Sequence, residues 1–174
     1  DVASDKQMAF EDLGNAIRKC ATDLHVSIDL DVSKMDLIKD SGLCGASCAV
    51  GAIRYSHVDP DGLDGTLLYI KPAIVGSENA DVLNYRKANP AYPHQSTADQ
   101  WFDEAQFESY RALGYHITRS ALAKAAAASA QAGGGHDVAT LCDHLLREHG
   151  LLAAAPAPVV PPVPPVPVTR DAFR

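Results

Sequence analysis

The sequence has no run of about 18 uncharged apolar residues, which is the minimum that suggests a membrane-spanning helix. Its longest apolar stretch, residues 151–168, is interrupted by prolines, which would break such a helix. Positive charge is also scarce, because 22 acidic residues outnumber 15 basic ones and give a net charge of −7. A chain of this charge has no broad positive field to hold a phosphate backbone. We therefore expect neither a membrane span nor a nucleic-acid partner.

Signs of secretion are missing as well. The four cysteines show no C-x-x-C pair and are too sparse for a disulfide scaffold, so we expect reduced and mostly buried thiols. The first residues, Asp1-Val2-Ala3-Ser4-Asp5, contain neither the basic nor the apolar region of a signal peptide. We expect the chain to continue a longer protein.

What is present resembles an ordinary globular domain, with 47% hydrophobic and 21% charged residues. Apolar residues recur at helical spacing in one segment and alternate with polar residues in the next, which predicts a helix followed by a strand. Two further strands flank a turn-rich stretch and predict a β-hairpin, and a short helix follows. The predicted segments are helix 10–24, strand 25–32, strands 48–55 and 65–70, and helix 81–87. This order indicates an α/β architecture.

A long amphipathic helix is predicted to begin at Ser96, where Ser96-Thr97-Ala98-Asp99 has the form of a capping box. Its apolar arc is expected to contain Phe102, Ala105, Ser109, Leu113 and His116. Beyond Arg119 the composition becomes rich in alanine, and the glycines at 133–135 indicate a helix end. Another short helix is predicted at 137–149, and a polyproline or disordered tail follows it. The predicted divisions are 1–119, an extension at 120–152, and a Pro-rich tail at 153–174.

Ser47 is the one serine in a setting like that of a nucleophile elbow, Gly45-Ala46-Ser47-Cys48-Ala49. An elbow needs a strand before the serine and a helix after it, whereas residues 49–55 are predicted to be a strand. Ala49 also stands where a second glycine is needed. Ser47 is therefore interpreted as a turn residue.

Other side chains that can carry chemistry have plainer interpretations. The seven histidines and Cys142 are not spaced like residues that bind one zinc ion together, so no metal is expected. The histidines are at 25, 57, 94, 116, 136, 144 and 149. Four carboxylates on the long helix could supply an acid and a base, but solvent-facing charge is the simpler interpretation; they are Asp99, Asp103, Glu104 and Glu108. The P-x-x-P spacing at 161–167, near Arg170, suits a spacer, or alternatively a segment that docks onto a partner.

Three blocks of this sequence resemble blocks that large bacterial patatin-like phospholipases carry in the same order. They are Phe10–Cys20, Gly65–Pro72 and Pro93–Arg111. Residues 1–119 resemble the C-terminal part of the catalytic region of that family. The resemblance implies a three-layer α/β/α fold with a Ser-Asp dyad, the serine on G-x-S-x-G and the aspartate in a later D-G-[GA]. In relatives, the strand that follows the catalytic aspartate ends in residues resembling Asp1–Asp5.

Both members of the dyad are therefore expected upstream of this chain. Asp61-Gly62 and Asp64-Gly65 do not replace the D-G-[GA] motif, because they lie in the predicted hairpin turn and neither is followed by Gly or Ala. The resemblance implies no catalytic, cofactor or metal residue here. The chain alone is expected to be inactive, and its parent is expected to cleave lipid esters in the cytoplasm or at a membrane.

Two further expectations follow. A sheet that continues in another segment leaves an exposed edge, through which the chain is expected to self-associate. The alternative function is that of a non-catalytic interaction module that binds a partner through its Pro-rich tail.

Overall fold

The computed structural model describes residues 4–131 and Cys142. Helices and strands are mixed, as the sequence predicts. The elements are α1 (Glu11–Asp23), β1 (Ser27–Leu30), β2 (Cys48–Arg54), β3 (Gly65–Ile70), α2 (Ala80–Ala88) and α3 (Glu104–Gln131). Two single turns of 3-10 helix lie at Ser33–Met35 and Tyr55–His57.

The three strands form one antiparallel sheet in the order β1-β2-β3, which confirms the predicted hairpin. Gly51, in the middle strand, lies opposite Leu30 on one side and Leu67 on the other. A Cβ atom at Gly51 would lie 2.5 Å from the carbonyl oxygen of Asp29, so only glycine fits without a shift of the backbone. Among the residues described, β1 has a neighbouring strand on one side only.

Two apolar clusters of the described residues contribute to the core. The first joins β2 and β3 to the segment before α1, and contains Met8, Met35, Cys44, Ala49, Tyr69 and Ala73. The second lies around α2 and α3, and contains Ile74, Val82, Tyr92, Leu113 and Ile117. Tyr92 is fully buried, its ring packs edge-on against Tyr85 and Tyr110, and its hydroxyl donates to the carbonyl of Ser109 at 2.7 Å. That bond satisfies the one polar group that Tyr92 brings into the core.

Helix α1 lies where the periodicity predicts it, yet it buries no residue completely. Leu13, Ile17 and Cys20 are half-buried on its apolar side. An amphipathic helix normally hides such a face against the core. In the described part of the chain, this face of α1 is covered only in part.

The predicted start of the long helix is wrong. Helix α3 begins at Glu104 rather than at Ser96, because Asp103 caps it: its carboxylate accepts the amide hydrogen of Gln106 at 2.7 Å. Residues 96–101 form turns instead, in which Ser96 and Asp99 accept amide hydrogens two residues further on. The Ser96 motif has the composition of a cap, but its side chains close turns.

The predicted apolar arc is correct only in part. Ser109 and Leu113 are buried, whereas Phe102 precedes the helix and, like Ala105, is exposed. His116 is half-buried, and the buried positions are Gln106, Ser109, Leu113 and Ile117. Since the helix starts later, its buried face begins at Gln106.

Helix α3 continues without a break through Arg119 to Gln131. In the part of the chain that the structure describes, no helix is both long and apolar enough to cross a bilayer. The predicted helix at 137–149, apart from Cys142, and the Pro-rich tail lie outside the described residues.

Candidate functional site

Among the described residues, a polar cluster surrounds Asp5. Its carboxylate accepts the amide hydrogens of Ala9 at 2.8 Å and Phe10 at 2.9 Å. The same carboxylate lies 3.8 Å from Nζ of Lys71, which follows β3 and is only 1% exposed. Asp5 thus joins the segment before α1 to the end of β3 through an ion pair in the interior.

The segment that carries Asp5 has an uncommon backbone. Met8 and Phe10 both adopt positive φ angles, 52° and 54°, which cost energy for residues with a side chain. Met8 is buried in the first core cluster, and Phe10 packs edge-on against Tyr69 with ring centroids 6.4 Å apart. These contacts and the two bonds to Asp5 offset the cost and hold the segment in its shape.

Burial changes the titration of the side chains around the ion pair. It lowers the pKa of Lys71, an effect that the charges of Asp5 and Asp12 oppose. It raises the pKa of Tyr69 to about 12, and the same two carboxylates act in the same direction. The cluster combines an ammonium group and a phenol in a setting of low polarity.

His94 also belongs to this cluster. Its Nδ1 accepts the amide hydrogen of Asp5 at 3.4 Å, and its carbonyl oxygen accepts the hydroxyl of Ser4 at 2.8 Å. Burial, together with the nearby charge of Lys71, lowers the pKa of His94 to about 4. The imidazole is therefore neutral at pH 7, with its proton on Nε2.

A cavity of about 360 Å³ opens beside the ion pair, lined by Ser4, Asp5, Phe10, Asp12 and Lys71 among others. Ser4 and Asp5 line this cavity and both bond to His94, which is the set of side chains that a catalytic triad uses. A triad needs the serine hydroxyl on the histidine ring and the ring on the carboxylate. Here the Ser4 hydroxyl donates to a carbonyl, and the ring meets the Asp5 amide rather than its carboxylate. The geometry is that of a structural clamp.

Ser47 lies at the bend before β2, where its carbonyl accepts the amide hydrogen of Lys71 at 3.1 Å. The residues after it form a strand, as expected, so the helix of a nucleophile elbow is missing. Of the two Asp-Gly pairs, Asp61-Gly62 lies in a turn, where the Gly62 amide bonds back to the Asp59 carbonyl. Asp64-Gly65 lies instead at the start of β3, and the Asp64 carboxylate binds Arg54 and Ser56. The bonds from Ser56, followed by that from Arg54, lower the pKa of Asp64 to about 2.

The described histidines lie apart from one another. His57 bonds to Ser27 at 2.7 Å, His116 bonds to Ser77 at 3.1 Å, and His25 is exposed. Across residues 4–131 and Cys142, no group of three His, Cys, Asp or Glu side chains is placed to hold a metal ion. His136, His144 and His149 lie outside the described residues.

The four carboxylates near the start of α3 each make a different contact or none. Asp103 is the helix cap, Asp99 closes a turn onto the amide of Trp101, and Glu104 is exposed. Glu108 pairs with Arg111 at 2.6 Å on the helix surface. None of these contacts forms the acid and base pair that general catalysis needs.

Asp5, Lys71 and His94 were not predicted from the sequence to form a cluster. A lysine directly after an apolar strand carries no local sign that it will be buried. One signal was available: Lys71 and His94 fall within blocks that carry the family resemblance, and Asp5 ends the segment Asp1–Asp5, which resembles the end of a strand in relatives. Comparisons of the chain with models of protein families, with curated proteins and with solved structures find no match.

Proposed function

We propose that residues 1–119 are the C-terminal portion of the catalytic region of a patatin-like lipid acyl hydrolase, with its Ser-Asp dyad in a preceding segment. The proposal rests first on the three sequence blocks. In the structure the first block is α1, the second is β3 with Lys71, and the third leads into α3. The antiparallel sheet described here would be one margin of a three-layer α/β/α fold.

The observation that carries this proposal is the incomplete cover of α1. A helix with a clear apolar face and no buried residue is typical of an element that packs against further structure. Strand β1, which has one neighbour within the described residues, suits the same interpretation. Both features favour a body that continues beyond these residues.

In this proposal the Asp5 clamp has a mechanical role. The strand that follows the catalytic aspartate in relatives would end at Asp5, and the bond to Lys71 would fix that end against β3. Serine esters form only where a base activates the hydroxyl and donors stabilise the oxyanion. The described residues would position such a centre, and the lipid ester would bind the preceding segment.

A fluorophosphonate that labels activated serines tests the proposal. The 174-residue chain should remain unlabelled, whereas the same chain extended by the preceding part of its reading frame should be labelled. Serine to alanine in the G-x-S-x-G motif of the extension should abolish labelling, and Ser47→Ala should leave it unchanged. A reading frame without G-x-S-x-G and D-G-[GA] would contradict the proposal. The proposal would also be contradicted if the 174-residue chain were labelled and if Ser4→Ala or Ser47→Ala removed that labelling.

A further inference from the structure

An apolar groove lies where the turns at 95–103 meet the first turns of α3. Its cavity is about 440 Å³, and Phe102, Phe107 and Tyr110 form an aromatic wall along it. We call this feature the aromatic groove. The hydroxyl of Tyr110 accepts the amide hydrogen of Gln95 at 3.3 Å, which ties the turn segment to the helix. The two sides of the groove are therefore held together by the fold itself.

Large aromatic side chains are open to solvent at this place. Phe102 and Phe107 are 53% and 61% exposed, and Trp101, which directly precedes the groove, is 91% exposed. An exposed apolar patch of this kind marks a surface that another segment or molecule covers. The aromatic groove therefore has the properties of a binding surface.

The lining of the groove favours an uncharged occupant. Among the described residues that line it, Arg111 is the one charged residue. Its guanidinium donates to both carboxylate oxygens of Glu108, at 2.7 and 2.6 Å, so its charge already has a partner. A charged ligand would lose its hydration here without gaining a free opposite charge. The hydroxyls of Ser96, Thr97 and Tyr110 can donate hydrogen bonds, so the fitting occupant is apolar and rich in acceptors.

The chain itself contains such a segment, outside the described residues. Residues 151–168 carry no charge, and the sequence of 161–167 is Pro-Pro-Val-Pro-Pro-Val-Pro. This composition predicts a polyproline II helix, which has no internal hydrogen bonds and leaves its carbonyls free to accept. Proline also lacks the backbone amide donor. Grooves lined by aromatic side chains bind P-x-x-P segments, and the preformed helix loses little entropy on docking.

The length of the chain allows this segment to reach the groove. Helix α3 is about 40 Å long as far as Gln131, and the groove lies near its other end. Pro161 follows Gln131 by 30 positions. A stretch of that length spans about 45 Å as one helix and up to about 100 Å when extended. Because segment and groove belong to one chain, docking is intramolecular, and weak contacts suffice.

We propose that residues 161–167 bind in the aromatic groove of the same chain. The proline rings would lie on Phe102, Phe107 and Tyr110, and the backbone carbonyls would accept hydrogen bonds from the hydroxyls of the lining. The Pro-rich segment would then cover the exposed aromatic side chains, and another molecule would have to displace it to enter the groove. This contact needs neither a Ser-Asp dyad nor a lipid, so it holds or fails independently of the proposed function.

Photo-crosslinking in the full 174-residue chain tests the contact. We would place p-benzoylphenylalanine at position 107, because Phe107 lines the groove and is exposed enough for α3 to tolerate the larger side chain. Irradiation should join α3 to the tryptic peptide 148–170 within a single chain, which mass spectrometry detects. The same group in place of Leu63 is the control. Leu63 is 90% exposed but lies between β2 and β3, and no cross-link to that peptide is expected from there.

Proline variants separate specific docking from chance contact. Replacing the five prolines of 161–167 by serine should lower the yield of the cross-link roughly fivefold, because the rings and the preformed helix are lost. Pro156→Ser combined with Pro158→Ser is the matched control, since these prolines precede the P-x-x-P segment, and the yield should stay the same. Phe102→Ser should lower the yield as well, and it leaves α3 intact because Phe102 precedes the helix.

Three results would overturn the proposal. The first is a cross-link that joins two chains, which would assign the groove to the Pro-rich segment of a second copy. The second is an equal yield from the chain with five serines and from its matched control. The third is the absence of peptide 148–170 from the cross-linked products when the benzophenone is placed at position 107 and, in a second variant, at position 102.

Discussion

The ammonium of Lys71 lies 3.8 Å from the carboxylate of Asp5, and the same carboxylate accepts the amide hydrogens of Ala9 and Phe10. One side chain thus stabilises both a buried charge and a strained loop. Because Met8 and Phe10 have positive φ angles in this loop, a change at Asp5 should affect the backbone before α1 as well as the ion pair.

Asp5→Asn should lower the free energy of unfolding by about 2–4 kcal/mol, because the ammonium of Lys71 stays in the interior without this carboxylate. Urea titration followed by circular dichroism measures the change. Glu108→Gln is the control, since it breaks an exposed ion pair and should have little effect. If the urea midpoint of Asp5→Asn equals that of the wild type, the buried ion pair contributes nothing to the stability of the fold.

Stability should fall as the pH is lowered from about 6.5 to about 4. The folded protein holds the pKa of His94 at about 4, below the ordinary value of 6.5, so the unfolded chain binds the proton more readily between these values. The loss should reach up to about 3 kcal/mol and level off below pH 4. Urea midpoints across this range measure it. His94→Gln should flatten the dependence, whereas His25→Asn, at an exposed position, should preserve it.

Two glycines should respond in opposite directions to alanine. Gly51→Ala should destabilise the protein by about 1–3 kcal/mol, because the new methyl group meets the Asp29 carbonyl in the middle of the sheet. Gly114→Ala, on α3, meets no atom within 4 Å and should stabilise it by about 0.5–1 kcal/mol. Thermal unfolding of the two variants checks both signs. Stabilisation by Gly51→Ala would be incompatible with the strand pairing described here.

Asp103→Ala should cost about 1 kcal/mol and lower the helix content, because it removes the cap of α3. Ser96→Ala should have a smaller effect, since Ser96 only closes a turn outside the helix. Circular dichroism and thermal unfolding compare the two. A larger loss for Ser96→Ala would place the start of the helix at Ser96 after all.

The chain should self-associate as its concentration rises, because β1 has an open edge within the described residues and the apolar face of α1 is only partly covered. Sedimentation velocity over a hundredfold range of concentration tests this. A single monomeric species that unfolds sharply would contradict it and would also weaken the proposal that the fold continues elsewhere.

The hairpin of β2 and β3 was predictable from sequence because alternation and turn residues are local signals. The start of α3 was not, since two segments have capping composition, one at Ser96 and one at Asp103. Long-range contacts decide between them: Gln95 is held by bonds to Tyr110 and Gln106, which keeps the first segment in a turn.

The polar cluster was even less accessible to sequence reasoning. Asp5, Lys71 and His94 come from three separate segments and meet only after the chain folds. A lysine after a strand is normally a surface residue, and no neighbour of Lys71 indicates otherwise. The absence of a nucleophile elbow at Ser47, by contrast, followed from the strand pattern of residues 49–55 alone.

Helix α3 has a further consequence for how the chain can be divided. Its 28 residues make a rod of about 40 Å, of which the first turns pack around Tyr92. Truncation after Arg119, where the alanine-rich composition begins, would cut this rod partway along its length and create a new frayed terminus. A cut beyond Gln131 would keep the described length of the helix, and two dyes attached near the ends of that length could then serve as a molecular ruler.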